Sequence, residues 1–378
     1  MSKSNLLVSN NDMSRRPIKV LVICRATRSN FNVYRPEAAQ LAGIQKTGTA
    51  EITVITNKNS VCVSYFQDKG IQVLNDPLNK KVSLSTFKYI RKELIRGRYD
   101  VLHLINNTAI SNGSLAAIGL AVKVVAYRGQ TGNTSRWSLT SYLSVLNPRI
   151  DMIIAVAQAV EKYLVSEHWN INKVKTVYKG HDLEWYKGPP ADLSFLNLPK
   201  NAIKVCLVAD IRPRKGLHVL MNATHYLNAS NIHILLVGAD PMDPEVKKQI
   251  NKAAKPKFIH ALGYRKDAPE ISAACDIMVL PTTKREGLSR AILEGMAYGK
   301  PAVVTNTGGN AELVVHNQTG LVVPPNNPIA LGEAINKLAA SSSLRIKYGL
   351  EAKKRLKNKF SVEQGVYETL DVYKNLLR

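Results

Sequence analysis

Two glutamates, Glu286 and Glu294, stand eight positions apart within MVLPTTKREGLSRAILEGMAYGKPAVVTNTGGNAEL, residues 278–313. The apolar run Ile277-Met278-Val279-Leu280 is stopped by Pro281 and reads as a buried strand with a hard end. A polar loop follows, holding Lys284, Arg285, Glu286 and Gly287. Ser289 fits an N-cap, and Ile292, Leu293, Met296 and Ala297 recur at helical spacing. Pro301 opens a second apolar run, Ala302-Val303-Val304, and Gly308-Gly309-Asn310 leads to Glu312. Strand, loop, helix, strand and Gly-rich loop make a βαβ unit with both loops at one edge of a parallel sheet.

Ligands bind at such an edge, where helix N-termini and loops converge. The free N–H groups around Leu288, Ser289 and Arg290 form an anion site before any side chain is counted. At ~1.5 Å of rise per residue, Glu294 stands roughly 8 Å along the axis from the cap, the span from a phosphate to its own ribose. One carboxylate can then accept the ribose hydroxyls while the other addresses the far side of the phosphates. Taken alone, the spacing also fits two glutamates on a solvated helix.

The surrounding wording carries more. EGLSRAILEGMA and GGNAELV, with VADIRPRKG at 208–216, GYRKDAPE at 263–270 and HNQTGLVVPPNNPIAL at 316–331, resemble the family 4 glycosyltransferases, retaining enzymes of the GT-B fold. The resemblance covers the C-terminal half closely and the N-terminal half loosely. It implies an α/β chain of two Rossmann-like domains facing across a cleft, with the nucleotide-sugar on the second and the last helix returning to the first. It places Glu286 at the donor sugar or its developing positive charge, Glu294 on the ribose, and Gly287, Leu288 and Ser289 at the donor. Lys215 matches the family's diphosphate lysine. Asp210 stands where the family usually has an arginine, which makes Arg212 the nearest substitute. The base would lie over Tyr264 and Arg265. No metal and no cofactor is implied, the nucleotide-sugar (UDP- or GDP-linked) being a substrate.

In the N-terminal half, the loop after the first strand, Cys24 to Asn30, has no glycine and offers Arg25 and Arg28 to a phosphate, an anionic acceptor or solvent. His103, in the strand Asp100–Ile105, is read either as a cleft residue or as a hydrogen-bonded core histidine. Arg128 and Gln130 leave the end of the strand 122–127 in what reads as a cleft loop, and the resemblance implies that this position meets donor sugar and acceptor. Further strands are read at 18–23, 51–56, 152–157, 173–178, 204–209, 232–238, 258–262 and 322–325.

A chain of 378 residues suits two domains. The division is 1–16 a disordered leader, 17–182 an acceptor domain, 183–359 a nucleotide-sugar domain and 360–378 a helix packing back on the first. The four cysteines, Cys24, Cys62, Cys206 and Cys275, lie in or beside apolar runs, which suggests reduced core thiols. Residues 1–150 hold 21 Lys and Arg against 7 Asp and Glu, a net +14 of the chain's +24. No nucleic-acid motif accompanies that charge and aromatics are 6%, so an anionic membrane or glycolipid is favoured over nucleic acid. The amphipathic helix 85–96 reads as a crossover helix with a solvated basic side, or as one lying on a membrane. Resemblance and charge together imply a bacterial enzyme building envelope glycolipid, O-antigen, capsule or lipopolysaccharide, in the cytoplasm or peripheral at the inner membrane's cytoplasmic face. A GT-B nucleotide-sugar epimerase and a basic protein that only binds are the competing classes.

Overall fold

Most strands among the described residues are short runs of Val, Ile and Leu buried on both faces, the composition that parallel sheets covered by helices demand. The computed structural model describes residues 16–26, 30–75, 83–135, 137–167 and 170–378. The first domain runs β1 (Ile18–Ile23), α1 (Arg35–Lys46), β2 (Ala50–Thr56), α2 (Val63–Asp68), β3 (Gln72–Asn75), α3 (Leu84–Gly97) and β4 (Val101–Leu104). It continues with α4 (Asn107–Ala116), β5 (Lys123–Arg128), α5 (Leu139–Tyr142), β6 (Met152–Ala155), α6 (Gln158–Ser166) and β7 (Val174–Thr176).

The second domain runs β8 (Ile203–Val208), α7 (Leu217–Ala223), β9 (Ile232–Val237), α8 (Pro244–Ile250), β10 (Ile259–Ala261), α9 (Ala268–Ala274) and β11 (Ile277–Leu280). Then come α10 (Arg290–Ala297), β12 (Ala302–Thr305), α11 (Asn310–Leu313), β13 (Gly320–Val323), α12 (Pro328–Ala339), α13 (Ser342–Lys359) and α14 (Val362–Leu376).

Among the described residues the strands form two sheets, ordered β3-β2-β1-β4-β5-β6-β7 and β10-β9-β8-β11-β12-β13. All the strand pairs of these two sheets are parallel, as βαβ crossovers require. In each sheet the chain first moves outward and then jumps back beside its starting strand, β1 to β4 and β8 to β11. That reversal opens a crevice at the C-terminal ends of the strands, the place where such sheets take ligands. One apolar cluster fills the second domain and two flank the first sheet.

Most strands read from sequence lie within two residues of the observed ones. The edge strand β3 was not among them, because its half-exposed QVLN carries no long apolar run. The last helix does return: Gln40 of α1 donates to the Gly365 carbonyl (2.9 Å) and Thr369 Oγ1 (2.6 Å) of α14. Its Tyr373, fully buried, bonds His103 Nδ1 at 2.7 Å. His103 is therefore a core residue under α14 and not a cleft residue, and burial pushes its imidazole down to about 4. Arg16 pairs with Asp100 at 2.7 Å; the rest of the expected leader, residues 1–15, lies outside the described residues, as does Arg28. All four cysteines are free and buried.

Candidate active site

The ends of β8, β11 and β12 bring three loops together, and their backbones lock one another. Gly216 has φ +76°, and a Cβ there would lie 1.9 Å from the Pro281 carbonyl oxygen, so only glycine lets the β8 loop approach the β11 loop. Thr283 N–H donates to the Arg214 carbonyl (2.8 Å), and Arg214 Nη1 returns a bond to the Arg285 carbonyl (2.8 Å). The β12 loop closes from the other side, with Gly309 N–H on the Gly287 carbonyl at 2.9 Å. A Cβ on Gly308 would stand 2.1 Å from the Glu286 carbonyl oxygen.

This scaffold holds Glu286, 7% exposed, against two donors. Lys215 Nζ reaches its Oε2 at 2.7 Å and Thr282 Oγ1 reaches the same oxygen at 3.0 Å. The Thr282 carbonyl is fixed by the hydroxyls of Thr305 (2.6 Å) and Thr307 (3.1 Å). Lys215 and Glu286 are thus joined to each other. Thr282 was not singled out in the sequence; its only signal is a threonine four residues ahead of a glutamate.

The expected second cation is elsewhere. Arg212 Nη2 bonds Asp210 Oδ2 at 2.7 Å, with both side chains more than half exposed. An arginine two residues from a carboxylate at the surface takes that neighbour, so the pair brings no net charge to Lys215. Arg265 is likewise forked onto Asp267, at 2.8 and 2.7 Å, beside the Phe195 ring. Tyr264 is 71% exposed, and its hydroxyl accepts from Asn30 of the first domain at 3.3 Å.

Helix α10 begins at Ser289, which is buried, but no side chain caps that end. Ser289 stands at the expected N-cap position without a side-chain capping bond, which leaves the first amides of α10 to solvent or a ligand. Leu288 packs against the apolar clusters of both domains. Glu294 is 5% exposed and lies 3.2 Å from Arg290 Nε, one helical turn back. Burial pushes its carboxyl up to about 7, against the pull of Arg290 and with a push from Glu270.

The first domain meets these loops at the end of β5. Arg128 is buried and spends its guanidinium on its own loop: Nε on the Gln130 carbonyl (3.0 Å), Nη2 on the Gly132 carbonyl and Thr134 Oγ1 (3.1 Å). Arg128 therefore shapes its own loop, with its guanidinium turned onto that loop's carbonyls and Thr134. The half-buried Gln130 sits in the turn so formed, and Thr131 Oγ1 lies 3.5 Å from the Glu286 carbonyl. Arg25, half-buried, follows the end of β1. Arg290 Nη1 meets the Asn32 carbonyl at 3.5 Å, and Arg35 stacks over Trp185 at 4.8 Å. Lys179, paired with Glu37 over the Tyr127 ring, makes a further, half-buried ion pair, whose only sequence signal is a lysine beside Gly180.

The family model for glycosyl transferases group 1 matches residues 191–355, the stretch holding the second sheet. An uncharacterized glycosyltransferase of Methanocaldococcus jannaschii is 26% identical over 236 residues, 61% of this chain and 59% of that protein, so the chain spans about three fifths of this relative. The UDP-Gal:alpha-D-GlcNAc-diphosphoundecaprenol alpha-1,3-galactosyltransferase of Escherichia coli is 24% identical over 371 residues, 88% of this chain and 94% of that one. The crystal structure of Anabaena HepE in complex with UDP and glucose aligns with a TM-score of 0.76 at 22% identity, covering 94% of this chain and 100% of that one. With its two parallel sheets and its likeness to that structure the chain has the GT-B fold, and its second domain matches the glycosyl transferases of group 1.

Proposed function

We propose that the protein moves a sugar, with retention of configuration, from a nucleotide diphosphate sugar to a hydroxyl of a glycolipid or polysaccharide acceptor of the bacterial envelope. The observation that carries this reading is the Lys215–Glu286–Thr282 cluster beside the uncapped start of α10. The bond from the anomeric carbon to the phosphate oxygen breaks with its electron pair going to the phosphate. A new bond forms from the acceptor oxygen on the same face, and the acceptor's proton passes to the departing phosphate. Lys215 and the α10 amides stabilise the diphosphate charge, and Glu286 faces the positive charge that gathers on the ring. In this reading no divalent metal takes part. The exposed Arg212–Asp210 pair takes a secondary place, since its charge is already met. Glu294 holds the ribose, Gly287, Leu288 and Ser289 line the diphosphate, and Tyr264 and Arg265 flank the base.

A UDP-linked donor is supported by the UDP of the Anabaena structure and by the name of the E. coli relative, whose substrate is also a lipid diphosphate. A membrane-borne acceptor suits helix α3, where Leu84 and Ile95 are exposed beside Lys88 and Lys92. Among the described residues no helix is long and apolar enough to cross a membrane. Work on the cytoplasmic face, bound peripherally through α3, follows from this reading.

A thermal-shift panel of UDP-, GDP-, ADP- and CMP-sugars, followed by incubation of the stabilising donor with and without lipid-linked oligosaccharide, tests the proposal. The expected result is one stabilising nucleotide and an α-linked product only with acceptor. An epimerised donor in the acceptor-free arm would move the assignment to an epimerase, and no stabilising nucleotide would overturn the donor site.

A further inference from the structure

Glu312 has no part in the chemistry above, yet its carboxylate crosses from the second domain to the first. Oε2 accepts from the Gln158 N–H at 2.8 Å and Oε1 from the Ala159 N–H at 2.7 Å, the first two amides of α6. Tyr178, at the end of the first domain, donates its hydroxyl to Oε2 at 2.9 Å. The residue at α6's own cap position, Ala157, offers no capping side chain, so the helix is capped by a charge from the other domain. Behind it, Arg355 ties the carbonyls of Glu312 (2.6 Å) and Leu313 (3.1 Å) to α13. Three residues earlier the same loop touches the reaction centre, through Gly309 N–H on the Gly287 carbonyl and Gly308 against the Glu286 carbonyl. A Cβ on Gly309 would also stand 2.9 Å from the Ala157 Cβ. One loop therefore lies between the Glu286 loop and the start of α6.

We propose that Glu312 is a positioning residue for transfer: it latches α6 of the first domain to the loop that carries Glu286, and so sets the closed arrangement in which the two substrates meet. Separation of the domains strips the carboxylate of the two helix amides and leaves the start of α6 uncapped. Charged acceptors on helix amides are the stronger class of hydrogen bond, so the latch favours closure before any ligand adds its own contacts. The catalytic side of this inference rests on the proposed transferase reading, and the latch itself rests on the geometry alone.

The test uses the full chain and the variants Glu312→Gln, Glu312→Ala and Tyr178→Phe, measured first without any donor. Small-angle X-ray scattering should show a larger radius of gyration for Glu312→Gln and Glu312→Ala. Hydrogen exchange should rise about tenfold or more in peptides covering 158–162, with α1 unchanged. Tyr178→Phe should lie between them and the wild type. Unchanged scattering and unchanged α6 exchange in Glu312→Gln, which keeps the side chain's shape, would overturn the latch. With the donor found in the thermal-shift panel, kcat should fall about tenfold to a hundredfold while donor KM stays within twofold. A raised donor KM with unchanged kcat would overturn the positioning role. Opening by scattering in a chain that binds no nucleotide-sugar would leave the latch standing and remove the transferase reading instead.

Discussion

Gly287 faces Gly129 across the domain boundary so closely that a Cβ on Gly287 would lie 2.0 Å from the Gly129 carbonyl oxygen. The first belongs to the loop of Glu286, the second to the loop shaped by Arg128. No side chain fits between them, so the two domains touch through backbone at the point where Glu286 is held.

Gly287→Ala should leave the second domain folded, because Gly287 is not among the positive-φ residues. Closure should suffer, with kcat falling about tenfold or more. Calorimetry with UDP and steady-state rates would check this, and an unchanged kcat would show that the domains need not approach so closely.

The Lys215–Glu286 pair is nearly buried, with side chains 14% and 9% exposed. Removing one member leaves the other charge without its partner, at a cost of about 3 kcal/mol in such a setting. Lys215→Met and Glu286→Gln should each lower the melting temperature and nearly abolish transfer. The double variant should recover part of the stability and none of the activity. A double-mutant cycle on thermal unfolding measures the coupling, expected at about 1–3 kcal/mol.

Glu294 supplies a pH dependence. Burial holds its carboxyl at about 7, above its value in an unfolded chain. The native state then keeps the proton that the unfolded chain has lost, so the stability of the wild type falls as pH rises between about 4.3 and that folded value. Glu294→Gln escapes this loss: its melting temperature should exceed that of the wild type at pH 8, with the difference smallest near pH 4. Donor affinity should move the opposite way, since the ionised carboxylate is the better acceptor of ribose hydroxyls. The variant should bind UDP about tenfold more weakly at pH 8 and lose less at pH 6, by isothermal titration.

Helix α3 gives a prediction outside the cleft. Each exposed lysine near an anionic bilayer contributes about 1 kcal/mol. Lys88→Glu with Lys92→Glu should thus lower binding to phosphatidylglycerol vesicles by at least about tenfold at low salt. Transfer to a short, water-soluble acceptor should not change. Vesicle sedimentation at two salt concentrations reads the effect, and equal binding by wild type and variant would rule this surface out.

The sequence by itself determined the buried strands and the local unit around Glu286, because a strand covered on both faces must be a short continuous apolar run. The βαβ stretch from Ile277 to Glu312 is contiguous, so its spacing survives folding: Glu286 before α10 and Glu294 within it stand where the motif puts them. What only the tertiary structure decided is the partner of each polar side chain. Arg212 and Arg265 were read as ligand contacts and are met by carboxylates two residues away, while Lys215 finds Glu286 at a distance of 71 residues. Arg128 is consumed by its own loop, His103 is taken by Tyr373 from the far end of the chain, and Glu312 serves a helix of the other domain. Apolar burial follows from residue type and periodicity, which are local. A charge or a hydrogen-bonding group goes to whichever complementary atom the packed elements bring within about 3 Å, and that distance does not exist until both domains are folded and facing each other.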